Sequence, residues 1–228
     1  MKIGAISDIH SNWVALNQVL NQPNINKVSD TYCAGDLVGY YAQPNEVIAR
    51  IRKEKICSVK GNHDAAVVNS TPSSFSIHAK RAIDWNRRNL FNDNMDYLSS
   101  LPTQIRKFVN DRDLLIVHGS PKNPLSEYIY ERDIDELFLE FYFDLPPDVI
   151  VLGHTHRPFV KKVNNTLIVN PGSVGQPRDK DPRASYATIN LNELSAKIHR
   201  VEYDINKIAE KTAKELPRAL SDRLYEGR

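Results

Sequence analysis

Short apolar runs recur along the chain, each closed by a polar loop and several followed by a stretch with helical spacing. KIGAIS, SDTYCAG and KICSVKGN read as three strands. Between the first two, Trp13, Leu16, Val19 and Leu20 fall on one helical face. After the second, Pro44 suits a first helical turn, and Val47, Ile48 and Ile51 continue an apolar stripe. This β-α-β-α-β order predicts parallel strands joined by right-handed crossovers, with helices covering the sheet.

The section from about Ser70 to Leu101 is more polar, and its spacing predicts a helix over Ser76–Leu90 with Ile77, Ala82, Ile83 and Trp85 partly buried. QIRKFVN and DLLIVHG read as an antiparallel pair joined near Asp111. A helix is expected from Glu131 to Phe143, its apolar face made by Ile134, Leu137, Phe138 and Phe141. DVIVLG, FVKKV, TLIVN, SYATIN and KIHRVEY are further strands, and the Asn-rich KKVNNTLI and INLNELSAKI read as hairpins. Asp204 can cap a last helix that Pro217 stops near Leu216, leaving a loosely held tail. The count is roughly ten strands and five helices. They make one domain over 1–228, with an inserted helical segment at about 70–101 and a C-terminal helix and tail at about 204–228. The expected class is α/β, a two-sheet β-sandwich flanked by helices. A single open doubly wound sheet is the rival, and periodicity does not separate them.

Composition narrows the class of partner more than the fold. The net charge of +2 gives no global bias toward nucleic acid or an anionic membrane. No apolar run reaches transmembrane length, and Met1-Lys2 leads into a strand rather than a cleavage site. Cys33 and Cys57 sit in strand-like runs without a CxxC spacing, so both are expected to be buried, reduced thiols in a cytoplasmic protein.

The chemistry lies in the loops. The chain has seven histidines. His10, His63, His118, His154 and His156 each fall near the end of a strand-like run, and only His78 and His199 do not; these two read as surface residues. In α/β sheets, ligands bind outside the carboxyl ends of the strands. The same loops carry Asp8, Asp36, Asn62 and Asp64. Each residue has a plain alternative. Asp8 could cap the helix beginning near Trp13, although Ser11 is better placed for that; Asp36 could be a turn residue; Asp64 could cap the segment that follows it. Together, the five loops deliver metal-ligand side chains to one sheet edge.

Asp8-Ile9-His10, Gly35-Asp36, Gly61-Asn62-His63-Asp64, His118 in VHGSP and Gly153-His154-Thr155-His156 stand in the order of the calcineurin-like metallophosphoesterase superfamily, which this chain resembles. The spacer GDLVGYYAQPNEV and the later NPGSVGQPR look like its small bacterial and archaeal phosphodiesterase branch. No ligand position departs from the pattern. The resemblance implies a two-sheet sandwich flanked by helices and two divalent metal ions. One would be held by Asp8, His10 and His156, the other by Asn62, His118 and His154, with Asp36 shared. Imidazole and carboxylate ligation suits Mn, Fe, Zn, Ni or Co. It further implies a metal-dependent phosphoesterase in which a hydroxide bridging the metals attacks phosphorus and His63 acts as general acid, with Asp64 orienting the His63 ring. The Asn170-Pro171-Gly172-Ser173 segment would form a tight turn under the histidine loops.

The expected substrate is a small or nucleotide-like phosphodiester. A phosphomonoesterase, a protein phosphatase, a dinucleoside polyphosphate hydrolase or a nuclease stays open, as does a non-catalytic scaffold of the same fold. Charge argues against a nucleic-acid partner, no membrane partner is expected, and a homodimer is left open. Tyr40, Tyr41, Arg178 and Arg183 receive no role from sequence.

Overall fold

The computed structural model describes all residues, 1–228. In chain order the first half runs β1 (Lys2–Ile6), α1 (Trp13–Leu20), β2 (Asp30–Cys33), α2 (Pro44–Lys53), β3 (Cys57–Ser58), α3 (Asn62–Val68), α4 (Ile77–Asn89), α5 (Asn92–Ser100), β4 (Gln104–Val109) and β5 (Arg112–Val117). A single 3-10 turn at Glu131–Asp133 precedes α6 (Glu136–Tyr142). Then follow β6 (Val149–Val151), β7 (Phe159–Val163), β8 (Thr166–Asn170), β9 (Ala184–Asn190), β10 (Ser195–Val201), α7 (Ile205–Glu215) and α8 (Arg218–Glu226).

The strands form two five-stranded sheets, in the orders β10-β9-β1-β2-β3 and β4-β5-β6-β8-β7. This decides for the sandwich over the single open sheet. Strands β1-β2-β3 and β5-β6-β8 pair in parallel, and the remaining neighbours in each sheet pair antiparallel. Alternation along each strand divides the core. Ile3, Ala5, Leu114, Ile116, Val149, Val151, Leu167 and Val169 meet between the sheets. Their neighbours Ile6 and Cys33 turn outward onto the helices beside the first sheet, and Leu115, Val117, Ile150 and Ile168 turn onto α6 and its flanks.

Several expectations are corrected. There are eight α-helices rather than about five: α3, α5 and α8 were not foreseen. The Glu131–Phe143 segment is broken, because Ile134 leaves the helical conformation and Asp135 caps α6 by accepting from the Phe138 N–H. Its face is rotated accordingly, with Phe138 and Leu139 buried while Leu137 and Phe141 face solvent. The tail after Pro217 is α8, anchored through Leu220 and Leu224 against α4 and α7 residues such as Ala82 and Ile208. Cys33 is buried as expected, but Cys57 lies on edge strand β3 and is exposed.

Candidate metal centre

Each loop bearing a ligand-type residue leaves the carboxyl end of one of the parallel strands. The loop after β1 carries Asp8 and His10, and that after β2 carries Asp36. Asn62 and His63 follow β3, His118 follows β5, and His154 and His156 follow β6. All are buried except Asn62, which is partly exposed. Asp8, His10, Asp36, His154 and His156 all have positive φ. Side chains in that left-handed region cost roughly 1–2 kcal/mol per residue, somewhat less for Asp. Such strain persists where the surrounding structure over-determines it, and it clusters at functional sites.

The side chains converge on Asp36. Its Oδ2 lies 3.6 Å from His10 Nε2 and 3.5 Å from His118 Nε2. On the first side, His156 Nε2 is 3.1 Å from His10 Nε2 and 3.2 Å from Asp8 Oδ1. On the second side, His118 Nε2 is 2.9 Å from Asn62 Oδ1 and 3.1 Å from His154 Nδ1. The seven residues expected as ligands are thus gathered into two groups that share one carboxylate.

Both carboxylates are held in the same way. The His154 backbone N–H donates to Asp8 Oδ2, and the His63 backbone N–H donates to Asp36 Oδ1. In each case one oxygen is fixed by an amide from a histidine-bearing loop, and the other is left facing imidazole nitrogens. Asp8 Oδ1 is buried without a hydrogen-bond partner. The tautomers sharpen the point. His118 Nδ1 donates to the Ala34 carbonyl at 2.7 Å, and His156 Nδ1 donates to the Gln176 carbonyl at 2.5 Å. Their neutral Nε2 atoms therefore present lone pairs to Asn62 Oδ1 and Asp8 Oδ1, which are acceptors too. Acceptors turned toward one another in a buried site need a cation between them. The donor set, imidazole with carboxylate and amide oxygen and no thiolate, fits divalent transition metals.

The loops fit tightly. A Cβ on Gly61 would collide with the Asp36 carboxylate. Asn170 Nδ2 donates to the Gly153 carbonyl and to Thr155 Oγ1, and its Oδ1 accepts from the Gly172 N–H, so the NPGS turn does underlie the GHTH loop. Ser173 Oγ donates to the Asp8 carbonyl at 2.6 Å. Asn12, rather than Ser11, caps α1 by accepting from the Ala15 N–H, while Ser11 Oγ donates to Asn86 Oδ1.

Of its two readings Asp64 takes the capping one, accepting from the Gly61 N–H at the start of α3. Its oxygens accept from the Val38 and Gly61 N–H groups at 3.0 Å each, so it ties the β2 and β3 loops together and does not orient the His63 ring. Burial raises its pKa to about 6. His63 Nδ1 is buried with no partner. Its ring is instead packed by aromatic neighbours: Tyr40 at 4.5 Å, His10 at 4.7 Å and Phe75 at 5.0 Å between centroids. His63 also offers a nitrogen within 4.8 Å of ligand atoms of His10 and Asp36. Phe75, and Tyr128 stacked 3.8 Å from His154, were missed in the sequence because nothing in their spacing marks them. His78 and His199 lie outside the cluster, with His199 hydrogen-bonded to Thr188.

Burial, the leading cause in each case, lowers the pKa of His10, His63, His118, His154 and His156, with His154 brought down to about 2. Burial, then the charges of Asp64 and Asp8, raises that of Asp36. The signs predict an acid-labile fold. Unfolding below pH 6.5 lets five rings take up protons that the folded chain refuses, so their stabilising contribution is complete above that pH and is lost as pH falls. Asp36 and Asp64 act oppositely, because the folded chain holds their protons more tightly. Five rings against two carboxylates leave a net loss of stability as pH falls from 6.5 to 5.5. Urea unfolding of chelator-treated protein across that range checks this, and a flat profile would show that the rings are not held neutral.

Residues 1–194 match the calcineurin-like phosphoesterase superfamily domain. The chain is 38% identical over 244 residues to the uncharacterized protein MJ0912 of Methanocaldococcus jannaschii, covering 99% of this chain and 98% of that one. The crystal structure of a metallophosphoesterase from Sphaerobacter thermophilus is 35% identical, with a TM-score of 0.84 over 100% of this chain and 99% of its own. The hypothetical protein PH1004 of Pyrococcus horikoshii shares the fold at 23% identity, with a TM-score of 0.89 over 100% of this chain and 98% of its own. The chain belongs to the calcineurin-like phosphoesterase superfamily. With its Asp, His and Asn positions filled, it is a metal-dependent phosphoester hydrolase. No helix is long and apolar enough to cross a membrane.

Proposed function

We propose that the chain is a phosphodiesterase for small or nucleotide-like substrates, using two divalent ions held by Asp8, His10, Asp36, Asn62, His118, His154 and His156. The reading rests on one observation: Asp36 Oδ2 lies between His10 Nε2 and His118 Nε2, each the centre of its own ligand group. When bound, such ions supply Lewis acidity and a nucleophile at neutral pH.

The protein's own residues bind and orient the ester beside them. A cavity of about 910 Å³ opens over Asn62, His63 and His154. Phe75, Ala79, Leu125 and Tyr128 give it apolar surface, and its volume leaves room for both ester groups of a diester. His63 stands at the cavity wall, where its ring can donate a hydrogen bond to a departing oxygen, while its Nδ1 is buried in the protein. In the free site, burial and then the Arg178 charge keep the ring neutral. A phosphoester anion beside it favours the protonated form, so the acid is created only with substrate in place.

Turnover of bis(p-nitrophenyl) phosphate by the full chain, with Mn, Ni, Zn, Co or Fe added singly, tests the reading. Metal-stimulated release of nitrophenolate, faster than release from p-nitrophenyl phosphate, is expected. Faster turnover of the monoester would replace the phosphodiesterase by a phosphomonoesterase, and hydrolysis of neither would leave the scaffold reading.

A further inference from the structure

The cavity holds two guanidinium groups that the metal chemistry does not use. Arg178 lies in the loop after the NPGS turn, and Arg223 comes from α8, outside the residues 1–194 matched by the family model. Their guanidinium carbons are 5.7 and 5.9 Å from the centroid of the same Tyr40 ring, which itself lies 4.5 Å from His63. Arg178 Nη2 donates to Tyr40 Oη at 3.2 Å and to Gln176 Oε1 at 3.0 Å, while its Nε is buried with no partner.

Neither arginine has a carboxylate. The acids nearest in sequence are engaged elsewhere: Asp179 with Arg200, Asp181 with Arg183, and Asp222 with Arg218. No Asp or Glu lines the cavity at all. Packing alone accounts poorly for this arrangement. Two cations on one aromatic ring repel each other, and a guanidinium placed for structure commonly has an acid to neutralise it. An anion entering the cavity would meet two guanidinium groups that no carboxylate neutralises, each able to offer charge-assisted donors.

We propose that Arg178 and Arg223 form a second anion subsite, selecting phosphoesters that carry a further phosphate group beyond the one being cleaved. The inference rests on the phosphoesterase reading for the place of the first phosphate. The two arginines are specificity residues, since the scissile group is met by the Asp36-centred cage, and Tyr40 is the spacer that sets the subsite one ring away from His63. The C-terminal helix thereby shapes the choice of substrate, although it carries none of the seven proposed metal ligands.

The test is competition against bis(p-nitrophenyl) phosphate turnover by the metal-loaded full chain. Adenosine 5′-monophosphate offers one phosphate, and adenosine 3′,5′-bisphosphate offers a second. The bisphosphate should compete about tenfold more tightly, the size of one good charge-assisted contact. That preference should fall toward one in Arg223→Gln and in Arg178→Gln, and should be partly kept in Arg223→Lys. No preference in the unaltered protein overturns the proposal. So does a preference that survives in both Gln variants. An equal loss for both competitors also overturns it, since the arginines would then hold the scissile phosphate. Calorimetric titration of the His63→Asn protein with the bisphosphate, with and without Arg223→Gln, reads the subsite without turnover. If no phosphoester is hydrolysed, the phosphoesterase reading fails, and arginine-dependent binding in the calorimeter still decides whether the subsite exists.

Discussion

His63→Asn is expected to lower kcat by about 10²–10⁴-fold, the usual contribution of a positioned acid or base, while the protein keeps its full metal content. The two readouts separate two roles that the geometry permits. His63 lies within 4.8 Å of ligand atoms of His10 and Asp36, close enough to be a ligand itself. Its ring also packs against Tyr40 and Phe75 and lines the cavity, where it can reach a bound ester. Asparagine preserves the backbone N–H that holds Asp36 Oδ1, so the shared carboxylate stays in place. Metal analysis beside steady-state kinetics reads the difference. Loss of metal together with activity would make His63 a ligand, and unchanged kcat would remove it from the chemistry.

Asp36→Asn should act in two opposite directions. Metal affinity should fall by more than the 10–100-fold typical of residues that only support a ligand, because both groups lose their common anion. Stability of the metal-free protein should rise, because burial and the charges of Asp64 and Asp8 all disfavour the ionised Asp36 carboxylate. Asn is nearly the same size and can still accept the His63 N–H. Chelated samples of the two proteins should therefore differ in Tm in favour of the variant, and added metal should reverse the order. A variant that binds metal as tightly as the unaltered chain would show that Asp36 is not shared.

The parts of the site legible in the sequence were those written locally. A strand end, a glycine and a ligand residue sit within a few positions of one another, and the order of the five loops carried the rest. Elements set by long-range contact were not legible. Asp64 falls beside His63 in sequence and caps α3 at Gly61, a local role the sequence offered, but its other oxygen is claimed by Val38 across the β2–β3 gap. The helix-like run through Glu131–Phe143 breaks because Asp135 forms a cap, a competition between local hydrogen bonds that periodicity does not register. The tail after Pro217 looks polar, and only packing of Leu220 and Leu224 against α4 and α7 makes α8 a structural element and brings Arg223 to the cavity. Phe75 was invisible for the same reason. It follows a Ser- and Pro-rich stretch, and its partner His63 is brought to it by the fold.

Metal stoichiometry per chain, measured by elemental analysis after saturation with Mn or Zn and removal of excess ion, puts the paired cage most directly at risk. Two equivalents bound to the unaltered protein is the predicted result. A single equivalent at saturation, or none, would contradict it.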